Sequence, residues 1–216
     1  MRGNVFGGQR GAAKGCIIAA IAVVLVILVA GLIFMGKYNS LVGLQEHVEA
    51  KWSEIDNQYK RRFDLVPQLV STVKGAADFE KTTLNEVTEA RASVGRVQLP
   101  PGLPTDPAKL GAYMQAQQGL GAALGRLFAV SEAYPQLRAT QNFLSLQDQL
   151  EGTENRIAVA RRDYIDAVQA YNTTVRRFPT NFIASMFGFE KLPQLQIEEG
   201  ERATPDVNFD FGKEGG

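Results

Sequence analysis

Residues 16–35 read CIIAAIAVVLVILVAGLIFM, a run of twenty residues without a charge. As a helix at ~1.5 Å per residue it reaches ~30 Å, the thickness of a bilayer's hydrocarbon core. Thirteen of the twenty are Ile, Val, Leu or Phe, each favouring insertion by roughly 0.3–0.6 kcal/mol. Nothing later in the chain is comparably apolar. The sequence therefore predicts one membrane span near the N-terminus, carrying a water-soluble region of about 180 residues, enough for a single core.

A cleaved secretory signal is the alternative, since Arg2, Arg10 and Lys14 give the run a basic front. The run exceeds the ~7–15 residues of a usual signal core, and no small-residue cleavage site follows Phe34-Met35-Gly36-Lys37. Cys16 precedes the apolar stretch, where a lipoprotein cysteine would follow it. A retained anchor is the better reading. Three basic side chains precede the span, and only Lys37, accompanied by Glu46 and Glu49, follows closely. The positive-inside rule then places the N-terminus in the cytoplasm and the larger domain in the periplasm or outside the cell. Gly11, Gly15 and Ala19 make a small-xxx-small ladder leading into the span, a weak sign of helix pairing.

Beyond the span, apolar residues recur at Leu41, Leu44, Val48, Trp52, Ile55, Tyr59, Phe63, Val66, Leu69 or Val70, and Val73. Steps of three and four are helical, and they begin so close to the span that one helix can serve both. Pro67 should kink it. Gly75 marks a turn or a bend, with Asp78 as cap for a helix carrying Phe79, Thr83, Leu84, Val87, Ala90 and Val94. LPPGLPTDP (99–107) is a loop whose Asp106-Pro107 starts a third helix, running to about Ala133 through Leu110, Met114, Leu120, Leu124, Leu127 and Phe128. Its glycines 111, 119, 121 and 125 weaken it unless another helix approaches closely there. Tyr134-Pro135 breaks the pattern, and a long fourth helix is expected from Leu137 to Phe178. A short helix over Phe182–Phe187 should stop at Gly188. Leu192, Leu195, Val207, Phe209 and Phe211 suit an extended tail, with disorder expected from Gly212. The expected fold is all-α: an N-terminal transmembrane helix, then an antiparallel up-and-down bundle of long helices. The predicted organisation is a basic cytoplasmic segment (1–15), the span (16–35), the bundle (36–189) and the tail (190–216).

Reactive chemistry is scarce. With 23 basic and 23 acidic residues the chain lacks the basic excess of a non-specific nucleic-acid binder, so no nucleic-acid partner is expected. Cys16 is the single cysteine and His47 the single histidine, so neither a disulfide nor a thiolate or paired-histidine metal site is expected. No nucleophile-elbow, phosphate-loop or zinc-protease pattern occurs. Carboxylate pairs such as Glu54 with Asp56, or Glu86 with Glu89, read as solvated helix faces. No catalytic residue and no cofactor are expected. Two polar groupings stand out: Lys60, Arg61, Arg62 and Asp64 before Pro67, and Glu154, Asn155, Arg161, Tyr164, Tyr171 and Asn172 on the last long helix. Glu154, Ile157, Arg161 and Tyr164 share a face. A polar group facing a bundle core must be paired, so an interhelical network is the preferred reading over a ligand site.

These stretches resemble the LemA family. The resemblance rests on YNSLVGLQEHVEAKWSEIDNQYKRRFDLVPQLVSTVKGAADFE (38–80), on residues 131–189 with ENRIAVARRDY and RRFPTN, and on TPDVNF (204–209). Two departures are visible. Ile165 follows Tyr164 where the family commonly has Asn, and Asn57-Gln58-Tyr59 replaces an aliphatic-Gln-Leu. The resemblance implies a bacterial membrane-anchored helical bundle and brings no reaction, cofactor or catalytic residue. Together the observations favour a non-enzymatic scaffold of the cell envelope at the inner membrane, in contact with the lipid bilayer and self-associating as a homo-oligomer. The alternative is an adaptor or sensor for a membrane protein partner such as a protease or signalling protein.

Overall fold

The computed structural model describes residues 9–75, 79–97 and 99–195, with side-chain surroundings from Ala19 onward. The surroundings of Gly11, Gly15 and Cys16, and the whole of Asp78, Val207, Phe209, Phe211 and Gly212–Gly216, lie outside the described residues. The chain is all-α, an up-and-down bundle with no strand among the described residues.

Helix α1, Gln9–Lys74, is one helix of 66 residues, ~100 Å long at 1.5 Å per residue. Its most apolar stretch, where described, has no buried residue. That combination fits a membrane-spanning segment. From Leu41 the apolar stripe turns inward, and Leu41, Val48, Trp52, Ile55, Tyr59, Val66, Leu69 and Val73 are buried. Pro67 lies inside α1 on its exposed side, and the carbonyl it frees, that of Phe63 four residues earlier, accepts instead from Arg91 Nε at 3.1 Å.

Helix α2, Lys81–Arg96, returns antiparallel to α1. Arg91 bonds the Phe63 carbonyl and covers the Phe63 ring, and Gly95 faces the same ring. The chain therefore reverses after Gly75. Glu80, not Asp78, precedes the first helical residue. Phe79, expected inside the helix, stays outside it because its buried ring is held against Tyr134, 4.9 Å between centroids.

Helix α3, Pro107–Ser131, climbs beside α1, and its N-terminus is capped as predicted: Asp106 accepts from the backbone of Ala108 and Lys109. The fourth helix is interrupted. A single turn, α4 (Pro135–Arg138), precedes α5, Gln141–Arg176. Thr140 is extended between them, its hydroxyl bonded to the Leu137 carbonyl. Helix α5 ends at Arg176 and not at Phe178, because Pro179 disfavours helical backbone in the residue before it. Helix α6, Thr180–Phe187, starts two residues earlier than expected and ends on Gly188, whose φ of +74° suits glycine. It packs at the base of the bundle against Phe34 and Tyr38 of α1. Residues 189–195 then run along α5, and Leu195 is buried.

Candidate functional site

The core is two apolar compartments, not one. The lower contains Trp52, Tyr59, Met114, Ile157, Tyr164 and Leu195. The upper contains Leu65, Leu69, Val87, Leu120, Phe143 and Leu150. Between them runs a polar layer at the same height on three helices: Arg62 between Tyr59 and Leu65 of α1, Gln117 between Met114 and Leu120 of α3, and Thr153 and Glu154 between Leu150 and Ile157 of α5.

Arg62 is the centre of this layer and is only 2% exposed. Its guanidinium donates to the Gln117 carbonyl at 2.8 Å, to Gln117 Oε1 at 2.7 Å and to Glu154 Oε2 at 2.6 Å. It also lies over the Tyr59 ring, 5.2 Å from the centroid. One planar fork thus joins α1, α3 and α5, a geometry a lysine could not copy. Gly121 admits it: a Cβ there would stand 3.3 Å from Arg62 Nη1. The other three glycines of α3 have nothing within 4 Å. The expected close helix approach is therefore absent at Gly111, Gly119 and Gly125, and at Gly121 the close neighbour is a side chain, not a backbone.

Below this layer, Trp52, Tyr59, Tyr113 and Tyr164 form an aromatic cluster, with centroids 5.5–6.3 Å apart for Trp52–Tyr164, Tyr59–Tyr113 and Trp52–Tyr113. Such tilted and edge-to-face pairs add to burial alone. Burial pushes the Tyr59 and Tyr164 phenols up to about 12. Tyr113 is raised as well, by burial and by nearby Asp56, which accepts from its hydroxyl at 3.3 Å. The Tyr59 hydroxyl donates to the Met114 sulfur. Tyr164 Oη is buried without a hydrogen-bond partner.

Further down, Lys51 and Asp163 pair at 2.7 Å, and this bond raises the lysine and lowers the carboxylate. At the base, Asn172 binds the backbone of Leu192 twice: its amide donates to the carbonyl and its oxygen accepts from the N–H, both at 2.9 Å.

The predicted polar residues separate by environment. Arg62 and Glu154 meet; Tyr164 and Tyr171 are core aromatics; Asn172 clamps the tail; Arg161 is half-buried beside the Tyr59 region. Lys60, Arg61, Asp64 and Asn155 are exposed. Gln117, Tyr113 and the Lys51–Asp163 pair escaped sequence reasoning, and Gly121 was not distinguishable there from the other glycines of α3. Gln117 was visible as the polar residue at an inward position of the α3 stripe. A groove of about 360 Å³ opens between the start of α3, Arg161 and residues 193–195. No group of three or more His, Cys, Asp or Glu is placed to hold a metal among the described residues. The arrangement as a whole ties helices together and fixes their register.

The chain is similar in sequence to several known proteins. The chain is 29% identical over 189 residues to "Magnetosome protein MamQ 2" of Paramagnetospirillum magneticum, covering 79% of this chain and 68% of that protein. It is 26% identical over 174 residues to "Magnetosome protein MamQ" of Magnetospirillum gryphiswaldense, covering 72% and 63%. It is 24% identical over 176 residues to "Protein LemA" of Metamycoplasma hominis, covering 82% and 76%. The sequence model of the LemA family matches residues 51–209, from the middle of α1 through the polar layer and beyond α6, and the chain belongs to that family.

Proposed function

We propose that this protein is a membrane-anchored, non-enzymatic scaffold that assembles through its helical faces. The observation that carries the reading is the continuity of α1: one helix carries an exposed, apolar stretch and, further on, forms a wall of the bundle. A rod built this way holds whatever binds it at a fixed height and angle to the bilayer. In this reading residues 1–15 lie in the cytoplasm, 16–35 span the inner membrane, and the bundle stands in the periplasm or outside the cell. The polar residues serve architecture: Arg62, Gln117 and Glu154 set helix register, and Asn172 fastens the segment after α6. The relatives named for LemA and MamQ bring no reaction in their names, which is compatible with a non-enzymatic role.

The test is to image the full-length protein in lipid nanodiscs or vesicles and to crosslink it from Lys60 and Arg61, which are exposed where Arg62 is buried. Assemblies of several bundles, with crosslinks between copies, are expected. A strict monomer in lipid at high concentration contradicts self-assembly. Crosslinks to one foreign membrane protein favour the adaptor or sensor reading, in which the unbroken α1 would carry a movement of the span into the bundle.

A further inference from the structure

Among the described residues beyond the apolar run, large exposed apolar side chains gather at one place. Phe178, Phe182, Met186 and Phe187 are 79%, 67%, 70% and 49% exposed; the others are Leu144 and Val159, both isolated on α5. Thr180, Ile183 and Ala184 cover the inner face of α6 against the bundle. Phe182 and Met186, one turn apart, lie on its outer face, and the Phe178 ring packs on Phe182. A surface helix in water carries polar residues on that face. Here it carries Phe and Met, with only Asn181 and Ser185 among them.

The height of α6 says what covers it. The Phe187 ring lies 5.8 Å from that of Phe34 and 4.8 Å from that of Tyr38. Phe34 belongs to the last turn of the apolar run, so α6 sits level with the point where the span leaves the hydrocarbon. Aromatic side chains concentrate at that depth. Helices lying in the interface settle there with their apolar face ~5–10 Å into the headgroup–acyl boundary. Lys37, Arg176, Arg177 and Lys191 are exposed around the same end of the bundle, with Glu190 among them. Cations at this height suit anionic headgroups.

We infer that α6 is an interfacial foot: its outer face, with Phe178 beside it, inserts into the headgroup–acyl boundary of the bilayer that holds the span. The bundle then touches the membrane at two points, the span and the foot, and cannot swivel freely about α1. This rests on the span being a retained anchor, and the experiment separates the two claims.

Full-length Phe182→Trp and Met186→Trp variants are reconstituted into vesicles of phosphatidylcholine and phosphatidylglycerol, with and without lipids brominated near the top of the acyl chains. Leu25→Trp reports on the span and Val159→Trp on the exposed side of the bundle. The signal of native Trp52, which is buried, is subtracted using the unaltered chain. The expected result is that residues 182 and 186 lose at least half their emission to the brominated lipid, Leu25→Trp is protected from aqueous iodide, and Val159→Trp responds to iodide alone. A tryptophan at 182 and 186 that responds only to iodide, or to neither quencher because protein covers it, overturns the foot. Lipid quenching at Val159 equal to that at 182 overturns it too, since the bundle would then lie flat. Iodide access at Leu25 would instead bring down the anchor itself.

Discussion

The Arg62 guanidinium lies 2.6 Å from the Glu154 carboxylate, yet the arginine side chain is 3% exposed and the glutamate 56%. The two ends of this bond are thus unequal. Arg62 depends on its partners to be buried at all, whereas Glu154 keeps water on its far side. Arg62→Ala leaves Gln117 Oε1 without its donor but strands no buried charge, because Glu154 is already in water, and should cost about 1–3 kcal/mol. Glu154→Ala leaves the buried guanidinium with two neutral acceptors and no carboxylate, and should cost up to about 3–5 kcal/mol. Urea unfolding followed by helical circular dichroism and by Trp52 emission measures both. A Glu154→Ala cost no larger than that of Arg62→Ala would mean that the buried charge does not depend on this carboxylate.

The glycines of α3 should divide in the same experiment. Gly119→Ala and Gly125→Ala meet open space and should each stabilise by up to ~1 kcal/mol through helix propensity. Gly121→Ala brings a methyl to 3.3 Å from a guanidinium held by three hydrogen bonds, and should lose that gain. Gly121→Val, with its branched bulk, should destabilise outright.

Alkaline unfolding should report the buried phenols. Tyr59 and Tyr164 are raised from 10.0 to about 12. Above pH 10 the unfolded chain gives up these protons while the folded chain keeps them. Stability is therefore complete below pH 10 and falls as pH rises from 10 to about 12, by up to ~1.4 kcal/mol per unit for each tyrosine. Tyr164→Phe removes a buried hydroxyl without a partner. It should raise stability at pH 7 by about 1 kcal/mol and make the alkaline loss shallower by one tyrosine's share.

Asn172→Ala should free residues 189–195 from α5 without unfolding the bundle. Both of its bonds go to Leu192, so hydrogen exchange at the Leu192 amide should rise at least tenfold while amides near Trp52 are unchanged. Uniform acceleration would mean that the tail and bundle open together.

Much of this was legible in the residues. The 3-4 stripe of α1, the Asp106-Pro107 start of α3 and the Gly188 stop of α6 each follow from local chemistry. Arg62 and Glu154 are both legible as network residues, but their pairing and the part of Gln117 are not: which acceptor meets a buried arginine depends on the relative heights of α1, α3 and α5, which no local pattern encodes. The same holds for Phe79, held outside α2 by a ring 55 positions away (Tyr134), and for the extended backbone at Thr140. Gly121 looked like its three neighbours because only a distant side chain distinguishes it.

The proposed tethered rod requires α1 to be one rigid helix from bilayer to bundle, and a distance across that junction tests it. With Cys16 replaced by serine, spin labels at Leu25→Cys and Lys60→Cys in the full-length protein in vesicles should be ~50 Å apart, 1.5 Å for each intervening residue. A single narrow distance distribution is the predicted result in pulsed electron–electron resonance. A broad distribution, or one centred well below that value, would place a hinge between span and bundle and contradict the tethered rod.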